Sequence, residues 1–211
     1  MPLGDMAKGS IGANAAPTFT NKDGLVARAA SQNQNCSVGA SPMRRVTHEE
    51  YNNSVRDLLG DTSTPAGEFV ADTQVDIFHN VASAQTVSET LAEQYVETAV
   101  SVANNVKDVN SLLGCNPDTD GSGCIGNFAK KFGRRAFRRQ LSDDESWSFQ
   151  KLYEDAKSQG ADTPTAARAV VASFLTSPNF LFHPEFGAGD SPMSGVKKLG
   201  QYEQAARLAS L

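Results

Sequence analysis

The chain is poor in the residues that usually announce a chemistry: it has three cysteines, three histidines and one tryptophan. No apolar run approaches the roughly 18 residues that a membrane span needs, so no membrane span is expected. Positive charge is not in excess. Lys and Arg number 19 against 24 Asp and Glu, a formal net charge of −5. That removes any global case for nucleic acid or an anionic membrane as a partner. The G-x-S-x-G elbow, the G-x-G-x-x-G turn and the P-loop are missing, and with them common hydrolase and nucleotide-binding designs. No C-x-x-C-H occurs, so the chain carries no c-type haem of its own. "MPLGDMAKGSIGANAAPTFT" lacks the apolar centre of a signal peptide. Either the protein is intracellular or the chain starts after an export signal. Three cysteines, one pair plus one left over, leave the compartment open.

What the chain has is helix. Hydrophobic residues fill 39% of 211 positions, enough for one large domain or two small ones. Residues 1–41, rich in Ala, Gly, Asn, Ser and Thr without a period, are expected to be a flexible, disordered leader. In "VTHEEYNNSVRDLLG", Thr47 and Glu50 make a capping box. Tyr51, Val55, Leu58 and Leu59 recur at helical spacing, and Gly60 closes the helix. A long loop follows, packed by Phe69, Val70, Ile77 and Phe78. Thr86 with Glu89 predicts the cap of a second helix. Its apolar stripe runs through Val87, Leu91, Tyr95, Val96, Ala99, Val102, Ala103 and Val106. Ile125, Phe128, Phe132 and Ala136 share one face of the next helix. Ser142 and Glu145 cap another, which carries Trp147, Phe149, Leu152 and Tyr153 and stops at Gly160. Thr163 before Pro164 predicts a further N-cap, and Pro178 ends that helix. "NFLFHPEF" is expected as an aromatic turn, and "LGQYEQAARLASL" opens a last helix. There is no internal repeat and no sustained strand period. The predicted class is all-α, an irregular bundle of about five to six helices with long loops.

Three features offer chemistry. In "GCNPDTDGSGC", Asn116, Asp118, Asp120 and Gly121 fit the start of an EF-hand loop, making Asn116, Asp118 and Asp120 a weak calcium candidate. The closing bidentate Glu is absent, since Asn127 stands there. Asn-Pro and Asp-Gly form turns unaided. The flanking Cys115 and Cys124 are also close enough in sequence for a disulfide worth about 2–3 kcal/mol. Metal, crosslink and plain turn all stay open on the residues alone. In "AKKFGRRAFRR", Lys130, Lys131, Arg134, Arg135, Arg138 and Arg139 form basic stripes. They suit either a polyanion or a solvated face paired with Asp143, Asp144 and Glu145. His48, His79 and His183 are far apart, each with a structural setting, and a shared metal site is not expected.

Several phrases together resemble a known family. "PMRRVTHEEYNNSVRDLLGD" resembles the opening of the third domain of the Planctomycete secreted-domain series, also frequent in myxobacteria. Arg44, Arg45, Thr47, Glu50, Tyr51, Asn53, Val55, Arg56, Asp57, Leu58, Leu59 and Gly60 match its pattern, and Val46 and Ser54 depart mildly. "FGRRAFRRQLSDDE" is similar to the fifth domain of the series, with Gln140 and Ser142 replacing Pro and Thr. "VVASFLTSPNFLFHPEFG" resembles that domain's closing motif through Ser177, Pro178, Phe180 and Leu181. "LGQYEQAARLASL" resembles the start of the fourth domain, with Gly200 in place of a Ser cap. Ile77 and His79 depart from the family's G-F-D-N loop.

The resemblance covers about residues 36–211 and, after the leader over 1–41, implies helical domains over 42–114 and 115–190 and a truncated domain over 197–211. It implies a large exported protein (periplasmic, cell-surface or secreted), continuing beyond Leu211, with haem possible elsewhere in cytochrome c modules. An oxidising compartment favours the Cys115–Cys124 disulfide and leaves Cys36 over. The family has no established biochemical function, so no catalytic residue carries over.

The expected function is a structural or interaction module with no catalysis and no cofactor in this chain. Its partners would be the remaining C-terminal domains and an extracellular polymer. One alternative is a part of an extracellular oxidoreductase beside a cytochrome. Another is carbohydrate recognition through Trp147, Tyr153, Phe180 and Phe182. Arg44, Arg45 and Arg56 are expected to pair with Glu50, Asp57 or Asp61. Arg134, Arg135, Arg138 and Arg139 are expected to brace the junction with the following helix.

Overall fold

The computed structural model describes residues 42–73, 75–76, 81–187, 189 and 196–209, and the backbone of 18–20 and 26–28. Most of the expected leader, Cys36, Ile77, Phe78 and His79 lie outside the described residues. The chain divides into two compact units, residues 1–40 and 41–211. In the first, strands β1 (Thr18–Thr20) and β2 (Val26–Arg28) pair antiparallel.

The second unit is helical. It opens with the short strand β3 (Arg44–Arg45) and α1 (His48–Leu59), followed by single 3-10 turns at Pro65–Glu68 and Ala82–Ala84. Helices α2 (Glu89–Asn104), α3 (Val109–Leu113), α4 (Pro117–Asp120), α5 (Gly123–Ala136), α6 (Asp143–Ser158), α7 (Thr163–Thr176) and α8 (Pro178–Leu181) come next. Strand β4 (Phe182–His183) pairs antiparallel with β3, and α9 (Gln201–Ala209) comes last. The fold is all-α as expected. Six helices are long; α3, α4 and α8 have four or five residues, and α4 and α8 arise in segments that read as turns.

Local chemistry explains the ends. Thr47 with Glu50, and Ser142 with Glu145, form full capping boxes, and Gly60 takes the left-handed C-cap at φ 73°. Two caps shift. Ser88, not Thr86, accepts the Leu91 N–H at the start of α2, and Asp162, not Thr163, accepts the Thr165 N–H at the start of α7. In each case an equally good capping side chain stands within two positions of the expected one, and packing decides between them.

Helix α2 lies along α7, while α5 packs on both α6 and α7. The buried stripe of α2 is Leu91, Tyr95, Ala99, Val102 and Ala103. Val87 and Val96, expected in it, are exposed: Val87 precedes the Ser88 cap and lies outside the helix, and Val96 lies off the buried stripe. Val70 and Trp147 are likewise exposed, Trp147 to 61%. Gly133 permits the tightest approach: a Cβ there would stand 2.7 Å from Leu141 Cδ2 and 2.8 Å from Phe174 Cε1. One aromatic cluster stacks Phe149 on Phe174, with Phe128, Phe132 and Phe137 around them. A second gathers Tyr51, Phe69, Tyr95 and Phe180.

Candidate functional site

Successive side chains of a strand point to opposite faces, and β3 uses this to send two adjacent arginines to two different places. Arg45 turns inward and is 2% exposed. Its guanidinium donates to Asp72 Oδ1 at 2.5 Å and to the Tyr95 hydroxyl at 2.8 Å. The other Asp72 oxygen accepts the His48 N–H at 2.9 Å, so one carboxylate holds both the arginine and the first turn of α1. His48 Nε2 lies 3.1 Å from Asp72 Oδ1. Burial lowers the His48 pKa and Arg45 adds to this, against the pull of Asp72.

Arg44 faces the other way. Directly opposite residues of an antiparallel pair share a face, and Arg44 is opposite His183. Arg44 forks onto Glu50 at 2.8 and 3.0 Å, and His183 Nε2 stands 3.8 Å from the same carboxylate. Burial would raise the Glu50 pKa. His183, Arg44 and the Thr47 N–H outweigh it and hold the carboxyl well below the usual range. Burial, with the cations Arg138 and Arg44, lowers the His183 pKa despite Glu50.

Of these groups, Arg44 and His183 line a cleft of about 600 Å³. Its walls are largely apolar and include Pro42, Phe137, Pro184, Phe186 and Tyr202. Arg138 also lines it, held in the left-handed region at φ 56°, a conformation rare for a residue with a Cβ. Its guanidinium donates to Phe180 O at 2.8 Å and Phe182 O at 3.1 Å. Among the described residues no carboxylate comes within ion-pair distance of it. Burial pushes its pKa down to about 10.

Residues 44–107 match the family model PSD3, a protein of unknown function (DUF1587), and residues 124–185 match PSD5, a protein of unknown function (DUF1595). Two domains of a series of unknown function are therefore present. No curated protein and no solved structure matches the chain.

The contacts above run between these segments. Arg44 and Glu50 lie in the PSD3 segment, and Arg138 and His183 in the PSD5 segment. Val46 N–H donates to Leu181 O at 2.9 Å, and Arg168 of α7 donates to Val106 O beyond the end of α2 at 2.8 Å. Arg135 reaches Asp57 at 2.9 Å. Arg139 forks onto Glu145 at 2.6 and 2.8 Å within the PSD5 segment.

The expected pairing within the opening motif needs correction. Among the described residues, only Arg44–Glu50 forms there. Arg45 goes to Asp72, Arg56 bonds Asn53 at 2.6 Å, and Asp61 accepts the Ser63 N–H. The inward face of β3 carries Arg45 away from α1, so its partner comes from a loop 27 positions on. Arg134 lies exposed. Cys115 and Cys124 form the disulfide, with Cα atoms 6.1 Å apart.

The calcium candidate has other partners. Asn116 caps α4 by accepting the Asp118 N–H, and Asp120 accepts the Asn116 N–H. Asp118 accepts from Thr163 at 2.6 Å. No group of three or more His, Cys, Asp or Glu among the described residues is placed to hold a metal ion. Of the aromatics suggested for sugar stacking, Tyr153 and Phe180 are buried and Phe182 half-buried, and Trp147 is exposed. Asp72, the Tyr95 hydroxyl, Phe186 and Tyr202 were not foreseen as site residues. No local signal marks Asp72, but a Tyr inside an apolar stripe must find a partner for its hydroxyl.

Proposed function

We propose that this chain is a helical interaction module without catalysis of its own, belonging to an exported multidomain protein whose other domains are its partners. Its arginine motifs serve to join the PSD3 and PSD5 segments into one scaffold. The β3–β4 clasp carries this reading. Arg44 and Arg45, neighbours in one motif, bind one carboxylate each and so anchor a strand that Leu181, Phe182 and His183 of the other segment close upon. The disulfide supports an oxidising setting.

Removing one partner of a buried pair strands the other charge and costs about 3–5 kcal/mol. Arg45→Ala is therefore expected to speed limited proteolysis in both segments. Cleavage rising only within residues 44–107 would refute the joint scaffold. Turnover of a polysaccharide or of a redox dye by the purified chain would refute the absence of catalysis.

A further inference from the structure

We propose that the cleft between β4, the end of α5 and α9 is a binding site for a small organic carboxylate with an apolar or aromatic body. Its volume, about 600 Å³, is in the range of small-molecule sites. The argument rests on charge placement. Two arginines, Arg44 and Arg138, line it: Arg44 is taken up in a bidentate pair with Glu50, and among the described residues Arg138 hydrogen-bonds backbone carbonyls alone. A guanidinium has five N–H donors. Three of the Arg138 contacts are to the carbonyls of Ala136, Phe180 and Phe182, the first a long 3.4 Å. Donors thus remain for an oxygen ligand in the cleft that Arg138 lines.

The other charges at the cleft are already matched. Arg139 pairs with Glu145 and Arg207 with Glu185. Glu203 accepts the N–H groups of Phe186, Gly187 and Gly200. A partly desolvated cation whose hydrogen bonds go only to neutral groups favours an anion. A bare, strongly hydrated anion gains nothing from the apolar walls, whereas an apolar body does. Phe186, 72% exposed, and Tyr202, 43% exposed, offer ring faces to such a body. The left-handed backbone at Arg138 agrees with this, since strain of that kind gathers where a side chain must be aimed. The proposal stands independently of the scaffold reading.

The test is calorimetric titration of the full chain with phenylacetate, phenethyl alcohol, phenethylamine and inorganic phosphate. Phenylacetate is expected to bind one to one with a Kd below about 1 mM, and the other three at least about tenfold more weakly. Arg138→Gln keeps a donor for the carbonyls and removes the charge, and is expected to weaken phenylacetate at least about tenfold. Phe186→Ala and Tyr202→Ala alter exposed side chains and are expected to weaken it several-fold, with helical circular dichroism unchanged. They decide the matter if Arg138→Gln does not fold. The proposal is overturned by no binding of phenylacetate at about 10 mM, or by equal or tighter binding of the alcohol, amine or phosphate. Unchanged affinity in folded Arg138→Gln, or in both aromatic variants, would overturn it as well.

Discussion

Arg44 and Arg45 differ by one position and a strand's alternation, and that decides their partners. The same stereochemical economy governs Gly133. A methyl group there would meet Leu141 and Phe174 at distances no packed core tolerates. Gly133→Ala is expected to destabilise the fold by about 1–3 kcal/mol through overpacking, measured by urea unfolding; Gly123→Ala, where nothing crowds the position, should not show that penalty. The ionisable residues set a pH response. His48 and His183 have pKa values lowered from 6.5 by burial, so below that value the unfolded chain binds more protons than the folded one. Glu145, held at about 2 by Arg139 against 4.5 unfolded, acts the same way in a more acidic window. Stability is therefore expected to fall as pH drops from 7 towards 5, and again between about 4.5 and 2. His183→Gln should flatten the first part of a Tm-against-pH curve, with Glu50, Arg44 and Arg138 as the charges facing it. A curve with the wild-type slope would show that His183 does not contribute.

At the scale of elements, the tract between Cys115 and Cys124 folds as a capped turn of helix closed by the disulfide. Asp118 ties that turn to Thr163 at the start of α7, with Lys157 3.7 Å from the carboxylate. Reduction of the disulfide is expected to cost about 2–3 kcal/mol by the loop-closure argument, read as a lower midpoint in denaturant with dithiothreitol. No shift would mean that the turn holds without the crosslink. Here the sequence was legible: two capping boxes, the Gly60 closure and the six long helices follow from local rules, while the spacing of Cys115 and Cys124 left the crosslink one of three readings until the family resemblance favoured it. Helix faces were less so. Val96 has the spacing of Tyr95 and Ala99, but whether it is buried depends on how widely α7 covers α2. The cleft was not legible at all. Phe186, Tyr202 and Arg138 come from a loop, a helix and a left-handed junction, and periodicity gives no account of their meeting.

At the scale of the molecule, the two matched segments share one core. α2 of the first lies along α7 of the second, and Phe180 of the second completes the aromatic cluster of Tyr51, Phe69 and Tyr95 in the first. Val170 of α7 is fully buried in that core. Trimming it to Ala removes two methyl groups, worth roughly 2 kcal/mol with the cavity left behind. If the segments form a single cooperative unit, the loss is felt far from α7. The direct measurement is native-state hydrogen exchange on wild type and Val170→Ala. The slowest amides of α1 and of α7 are expected to share one opening free energy and to lose the same amount in the variant. Protection lost in α7 while α1 keeps its wild-type value would contradict a scaffold made of both segments.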